Sequence, residues 1–279
     1  MRRILVILLG MLLGLAGCDG SSYTKKGLQW AYDGSPFTPD DPKTFRALDK
    51  HFARDAKRGY YRGSTIDGSD GASFEALSDH EARDLRTVYY CDTYRKGQEY
   101  WAIQYVRVTP IRDAHAPTYR VMGFGYARDR SRAYGDGVGF AVRDAASFEP
   151  LSSQFARDSE RGYFARVEIP GSHGPTFSLI DEGYARDRTS AYHGHIETDT
   201  PNRGPYPVVR TLRGADTAAL RVLGRGYASD ASRVWYRGTL VPHADAASFA
   251  VVDDVASDID ANDRTGSWKQ GRKAAATAR

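Results

Sequence analysis

Several short stretches have residue types and spacing that invite chemistry. His193-Gly194-His195 would place two imidazoles on one face of a strand, as a zinc site could use, but zinc needs a third protein ligand and, for catalysis, an open position. No third ligand is identifiable, and a solvated loop pair is the simpler reading. Glu168, Glu182 and Glu197 are carboxylates outside the repeated motif described below, and a hydrolase of an envelope polymer would need two such groups paired across a cleft. Ser172-His173-Gly174 lacks the strand, Gly-x-Ser-x-Gly and helix context of a nucleophile elbow. Gly135-Asp136-Gly137-Val138-Gly139 has no Lys-Ser/Thr and no following helix, so it reads as a turn and not a phosphate loop. No catalytic, metal-ligating or cofactor-binding residue is therefore assigned.

The acidic residues that recur most regularly belong to a repeat. Phe155-Ala156-Arg157-Asp158, followed by Tyr163-Phe164, has copies ending in Asp55, Asp84, Asp129, Asp187 and Asp230, and a last fragment reads Val255-Ala256-Ser257-Asp258. The gaps between these aspartates are 29, 45, 29, 29, 43 and 28 residues. A catalytic centre needs one convergent cluster, whereas a repeat supplies many equivalent positions. Asp55, Asp84, Asp129, Asp158, Asp187 and Asp230 are accordingly read as a structural turn motif: an Asp at the entrance of a turn accepts hydrogen bonds from backbone N–H groups ahead of it. Arg58, Arg132, Arg161 and Arg233 stand three residues later and could close over the turn, but Thr87 and Ser190 replace them elsewhere, so the carboxylate's own hydrogen bonds matter more.

The elements that position these residues are short strands. Each repeat opens on an anchor such as Thr44-Phe45, Ser73-Phe74, Ser147-Phe148, Thr176-Phe177 or Ser248-Phe249, whose hydroxyl could cap a helical turn. The aromatic-Ala-Arg-Asp segment and the Tyr-Tyr segment then form a hairpin. Arg161 to Ile169 alternates as one strand, with Tyr163, Ala165, Val167 and Ile169 on one face. Leu28 to Gly34 reads as half of an incomplete first copy, acting as an N-terminal cap. Two copies carry insertions. The first contains Tyr100 to Val108, expected as an added, largely buried strand; the second, Gly194 to Ala215, is expected as a long loop with an edge strand at Val208 to Leu212. Insertions of this kind project from one face of a repeat array, often the binding face.

The predicted fold class is all-β: about six tandem β-hairpin repeats of about 29 residues in an open twisted sheet or solenoid. A closed propeller-like ring is the alternative, disfavoured because a four-stranded blade takes ~40–45 residues.

The repeat, (Tyr/Phe)-Ala-Arg-Asp, three linking residues, Tyr-Tyr and then Asp-x-x-Ser-Phe-x-x-Leu, resembles the DKNYY family of bacterial envelope and lipoprotein-type repeats. The resemblance covers roughly residues 40 to 258. This chain has Arg or Ser where that family often has Lys, and lacks the Lys-Asn after Asp. The family brings no catalytic residue with it.

The N-terminus supplies an address. Met1-Arg2-Arg3 and the apolar run Ile4 to Gly17 form a signal peptide, 14 apolar residues being too few to span a bilayer. Leu15-Ala16-Gly17-Cys18 resembles a bacterial lipobox, which implies cleavage after residue 17 and lipidation of Cys18, with a palmitate-type chain among the acyl groups that anchor the product. Residues 18–27 are expected as a tether, 28–260 as the repeat domain and 261–279 as a disordered basic tail. Cys91 is the other cysteine, expected half-buried, so no intramolecular disulfide is available. The formal charge of +4 misleads: without Arg2, Arg3 and the five basic residues after Asp263, 32 basic residues face 35 acidic ones, and a nucleic-acid partner is not indicated. The expected function is a lipid-anchored, non-enzymatic binding or scaffold protein of the bacterial cell membrane, facing the periplasm, whose partner is an envelope protein or glycan. The alternatives are an envelope-polymer hydrolase and an inhibitor or immunity protein against a secreted toxin.

Overall fold

The computed structural model describes residues 22–97, 100–101, 103–198, 204–252 and 259–274. Cys18 and the signal peptide, and the fragment ending in Asp258, lie outside them. The described residues form eight small antiparallel sheets, one of three strands and seven of four, and none closes on itself. The chain divides into two compact units, residues 1–85 with 91–109, and residues 86–90 with 110–279.

One repeat shows the design. Strands Glu149–Pro150, Phe155–Arg157, Gly162–Phe164 and Val167–Glu168 pair in chain order as a meander. The central register sets Phe155 against Phe164, Ala156 against Tyr163 and Arg157 against Gly162. Four strands fit a period of 29 residues because each is only two or three residues long. The expected continuous strand from Arg161 to Ile169 is broken in two: Ala165 and Arg166 both have positive φ, 45° and 71°, which makes them a two-residue hairpin turn. No glycine marks that turn in the sequence, and this is why the alternation read through it. Asp33-Gly34, Arg62-Gly63, Asp136-Gly137, Arg237-Gly238 and Gln270-Gly271 turn in the same way at the equivalent place.

Strand pairing stays within each sheet, so side-chain contacts join one repeat to the next, packing foremost among them. The small Ala of the motif and the aromatic rings supply it. Phe155, Phe164, Ile169, Phe177, Ala185 and Tyr192 form one buried cluster drawn from two successive repeats, and Tyr126, Ala133, Phe148, Ala156 and Tyr163 form another. Ring centroids lie 4.9 Å apart for Phe155 and Phe164 and 6.1 Å for Phe148 and Tyr163, separations at which edge and tilted geometries are favourable.

Several expectations are corrected. The tether gives way at Tyr23: strand Tyr23–Lys26 pairs with Gln29–Tyr32, and the Tyr23 hydroxyl donates to the His51 carbonyl at 2.8 Å. Residues 261–274 of the basic tail fold, with strands Ala261–Asp263, Gly266–Lys269 and Arg272–Lys273 completing a seventh four-stranded sheet in which Trp268 is 2% exposed. Apolar burial of Ala261 and Trp268 against Tyr227, Val241 and Phe249 outweighs the polar composition. The first insertion is a hairpin whose second strand, Tyr105–Pro110, is half-exposed, and Trp101 is 86% exposed, so the aromatic run is not a buried strand. In the second insertion, Tyr206–Thr211 pairs with Ala191–Glu197. Both insertions lengthen the connection between third and fourth strands. Cys91 is fully buried, and burial pushes its thiol pKa up. Among the described residues no helix is long and apolar enough to cross a membrane.

Candidate functional site

The motif aspartates stand at the entrance of the turn between second and third strands, and all six are buried. In the Asp158 copy, one carboxylate oxygen accepts the N–H groups of Glu160 (2.8 Å) and Arg161 (2.7 Å). The other accepts the N–H groups of Arg143 and Asp144, each at 2.9 Å, and the Tyr163 hydroxyl at 2.5 Å. Asp55, Asp129 and Asp187 repeat this division with Tyr60, Tyr134 and Tyr192. In Asp230 the hydroxyl is missing because Trp235 takes the tyrosine's place, while Ser232, Arg233 and Asp216 still donate their N–H groups. Asp84 accepts the Asp70 N–H at 3.0 Å.

The i+3 arginines act through their backbone N–H and not through ion pairs to the motif Asp, which is why Thr and Ser can replace them. Their guanidiniums go elsewhere: Arg58 to Asp40 at 2.9 Å, Arg161 to Glu168 at 3.4 Å. The anchor hydroxyls cap no helix. Ser147 accepts the Ser159 N–H at 2.7 Å, and Thr44, Thr176 and Ser248 do the same for Ala56, Arg188 and Arg264, in each case the residue after the turn Asp. In four copies the arginine before the Asp reaches forward into the next repeat: Arg54 donates to the carbonyls of Gly71 and Ala72, Arg128 to those of Ala145 and Ala146, Arg157 to Phe177 and Arg186 to Thr217. The motif thus closes its own turn with Asp and ties on its neighbour with Arg.

Asp263 is the member the sequence reading missed. It accepts the N–H groups of Thr265, Gly266 and Asp245 in the same pattern. Its segment, Asp260-Ala261-Asn262-Asp263, keeps only the Ala and Asp of the motif, while the closer match ending at Asp258 drew the register five residues early. The surviving signal was Trp268, five residues after Asp263, as Tyr163 follows Asp158.

These environments carry a pH dependence. Burial raises the Asp129 pKa, but hydrogen bonds from Tyr134 and the N–H groups of His115 and Ser131 outweigh it and hold the carboxyl at about 2, against an ordinary 3.8. Asp55, Asp158, Asp187, Asp230 and Asp263 are lowered in the same sense. A carboxyl depressed in the folded state stabilises above its unfolded pKa and loses that stabilisation as pH falls through the folded value. His193 adds an earlier loss: burial first, then His195, Arg210 and Arg237, push it to about 4 from 6.5, so across that window the unfolded chain binds more protons than the fold. Thermal unfolding followed by circular dichroism is expected to show a shallow decline in Tm below about pH 6.5 and a steep one below about 4. A flat profile down to pH 3 would show that the carboxylates are not held as described.

The remaining residues singled out from sequence do not converge. His193 and His195 do share a face of Ala191–Glu197, with ring centroids 5.4 Å apart. His193 is 5% exposed, so it is a buried strand residue and not part of a solvated loop. Among the described residues no group of three His, Cys, Asp or Glu is placed to hold a metal. Glu168 is engaged by Arg143 at 2.8 Å, Glu197 lies 3.7 Å from His195 Nε2, and Glu182 sits in an exposed turn. Ser172 is 1% exposed, its hydroxyl donating to the Ile169 carbonyl and accepting the Gly162 N–H.

Concave surface occurs instead beside the insertions. In the first compact unit a cavity of ≈370 Å³ is lined by Tyr32, Phe37 and Arg62 together with Thr93, Gln104 and Val106 of the first insertion hairpin. In the second, cavities of ≈510 and ≈400 Å³ share Arg210 of the second insertion.

Fold and turn geometry together define an all-β repeat protein whose hairpins are closed by buried, backbone-capping carboxylates. Residues 143–268 match the model of the DKNYY family. The match runs past residue 260 and ends on Trp268, within the seventh sheet. No curated protein and no solved structure was found to match the chain.

Proposed function

We propose that the protein is a lipid-anchored, non-enzymatic binding or scaffold protein of the bacterial cell envelope. The observation that carries the reading is the division of labour within the repeats. The conspicuous carboxylates are spent on backbone N–H groups, whereas both insertions lengthen the same hairpin connection and wall the cavities of their own compact unit. A rigid repeated frame that presents variable hairpins is suited to holding a partner. The apolar run ending in Leu15-Ala16-Gly17-Cys18 supports a lipid anchor at the membrane, facing the periplasm.

The test has two arms. Metabolic labelling with a radiolabelled fatty acid is expected to mark the wild type and not Cys18→Ala, with the label in the membrane fraction. Capture from detergent-solubilised envelope is then compared for the full-length protein and for variants in which 96–103 or 198–205 is replaced by an Asn-Gly turn. These cuts spare the paired strands Val88–Tyr94 and Tyr105–Pro110 of the first insertion and Ala191–Glu197 and Tyr206–Thr211 of the second. Partners retained in full by the doubly shortened protein would overturn the assignment of the binding face, and an unlabelled wild type would overturn the anchor.

A further inference from the structure

The two cavities of the second compact unit adjoin, sharing Arg210, Thr239 and Leu240, and together form one groove. Hairpins of three successive sheets build it. Gly238 and Gly271 occupy left-handed turn positions, each with φ 75°, and an added Cβ would lie 2.8 Å from Arg210 Cβ and 2.6 Å from Tyr236 Cβ respectively. Each turn therefore nests on the preceding repeat, which brings Arg237 beside Arg210 and sets Arg272 and Arg237 on the wall of one cavity. The Arg210 guanidinium donates to the Arg237 carbonyl at 3.1 Å and is held in place by it. Arg213, in the bend after Tyr206–Thr211, completes a set of four cations lining the groove.

Among the described residues no Asp or Glu lines either cavity, and none of these four arginines takes part in an ion pair. Some arginines elsewhere are paired, Arg107 with Asp92, Arg143 with Glu168, Arg157 with Glu149 and Arg166 with Asp136; what sets the groove apart is four unpaired ones on a single surface. Like charges gathered without counter-charge repel, and an anionic ligand relieves that repulsion.

We propose that this groove binds an acidic glycan, a sugar polymer bearing carboxylate or phosphate groups. A guanidinium presents the fork that matches either oxyanion bidentately. Thr211, Thr239 and Gln270 set neutral hydrogen-bonding groups among the cations, as sugar hydroxyls require, and Leu240, 47% exposed, offers an apolar surface for a ring's C–H face. Single-stranded nucleic acid calls for free aromatic platforms, but Trp235 is 1% exposed and the Tyr236 ring lies between Arg237 and Tyr227. The inference rests on the reading of the chain as a binding protein and gives that reading a ligand class.

Fluorescence anisotropy of the full-length protein in detergent would use labelled polygalacturonate as the carboxylate probe and a labelled phosphomannan as the phosphate probe. Neutral dextran and single-stranded DNA are the comparisons. At least one acidic glycan is expected to bind, with affinity falling as salt rises. Arg213→Glu with Arg272→Glu is expected to weaken it about tenfold or more, while the paired lysine variant, which keeps the charge, loses much less. Lys43→Glu with Lys50→Glu, an equal change of net charge in the other compact unit, is expected to stay within about twofold. Equal weakening by the lysine reversal, equal binding of dextran, tighter binding of DNA, or no binding of either acidic probe would overturn the proposal. Envelope partners still captured when no acidic glycan binds would sink the groove's ligand and leave the binding reading standing; loss of both would remove both.

Discussion

Asp158→Ala is expected to lower the free energy of unfolding by about 3–5 kcal/mol, near the top of the range for single substitutions. The side chain is 2% exposed and accepts four backbone N–H groups and one tyrosine hydroxyl. Its removal strands donors on both sides of the repeat, at about 1–3 kcal/mol for each left buried and unpaired, and water reaching the outer ones keeps the total below the full sum. Asp158→Asn tests the cause more finely. One amide oxygen can still serve Glu160 and Arg161, but the NH2 then faces the N–H groups of Arg143 and Asp144, donor against donor, so the isosteric change is expected to cost nearly as much as the truncation. Denaturant unfolding measures both, with the exposed Asp67→Ala as reference. A loss under about 1 kcal/mol for Asp158→Asn would show that shape and not hydrogen bonding holds the turn.

Trp268→Ala is expected to cost about 3–5 kcal/mol, the usual penalty for truncating a buried aromatic to alanine. Trp268 packs in a buried cluster with Tyr227, Val234, Val241, Ala246, Phe249 and Ala261, its ring 6.3 Å from that of Phe249. The substitution also decides between two accounts of the same residues. A disordered tail would tolerate it without change in the unfolding midpoint, whereas a seventh sheet loses its one large apolar side chain and leaves Phe249 and Val241 facing a void. An unchanged midpoint would return residues 261–274 to the tail that their composition suggested.

What the sequence determined by itself is the repeat and its turn. The spacing of Asp55, Asp84, Asp129, Asp158, Asp187 and Asp230 specified hairpins because an aspartate at a turn entrance bonds to N–H groups two and three residues ahead, a local geometry independent of the rest of the fold. The central strands were legible for the same reason, since alternation over three or four residues needs no distant partner. Other features depended on residues far apart in the chain and were decided by tertiary structure. Ala165-Arg166 turns left-handed without glycine because the strands on either side are already paired. Asp263 takes the turn position without its motif aromatic or arginine because Ala261 and Trp268 find an apolar cluster on the previous repeat. The arginine groove exists only where turns from three successive sheets nest together, so that Arg213, Arg237 and Arg272, which look like ordinary solvated charges along the chain, meet at one surface. Local hydrogen bonding is written in adjacent residues; burial and the gathering of like charges are properties of the packed whole.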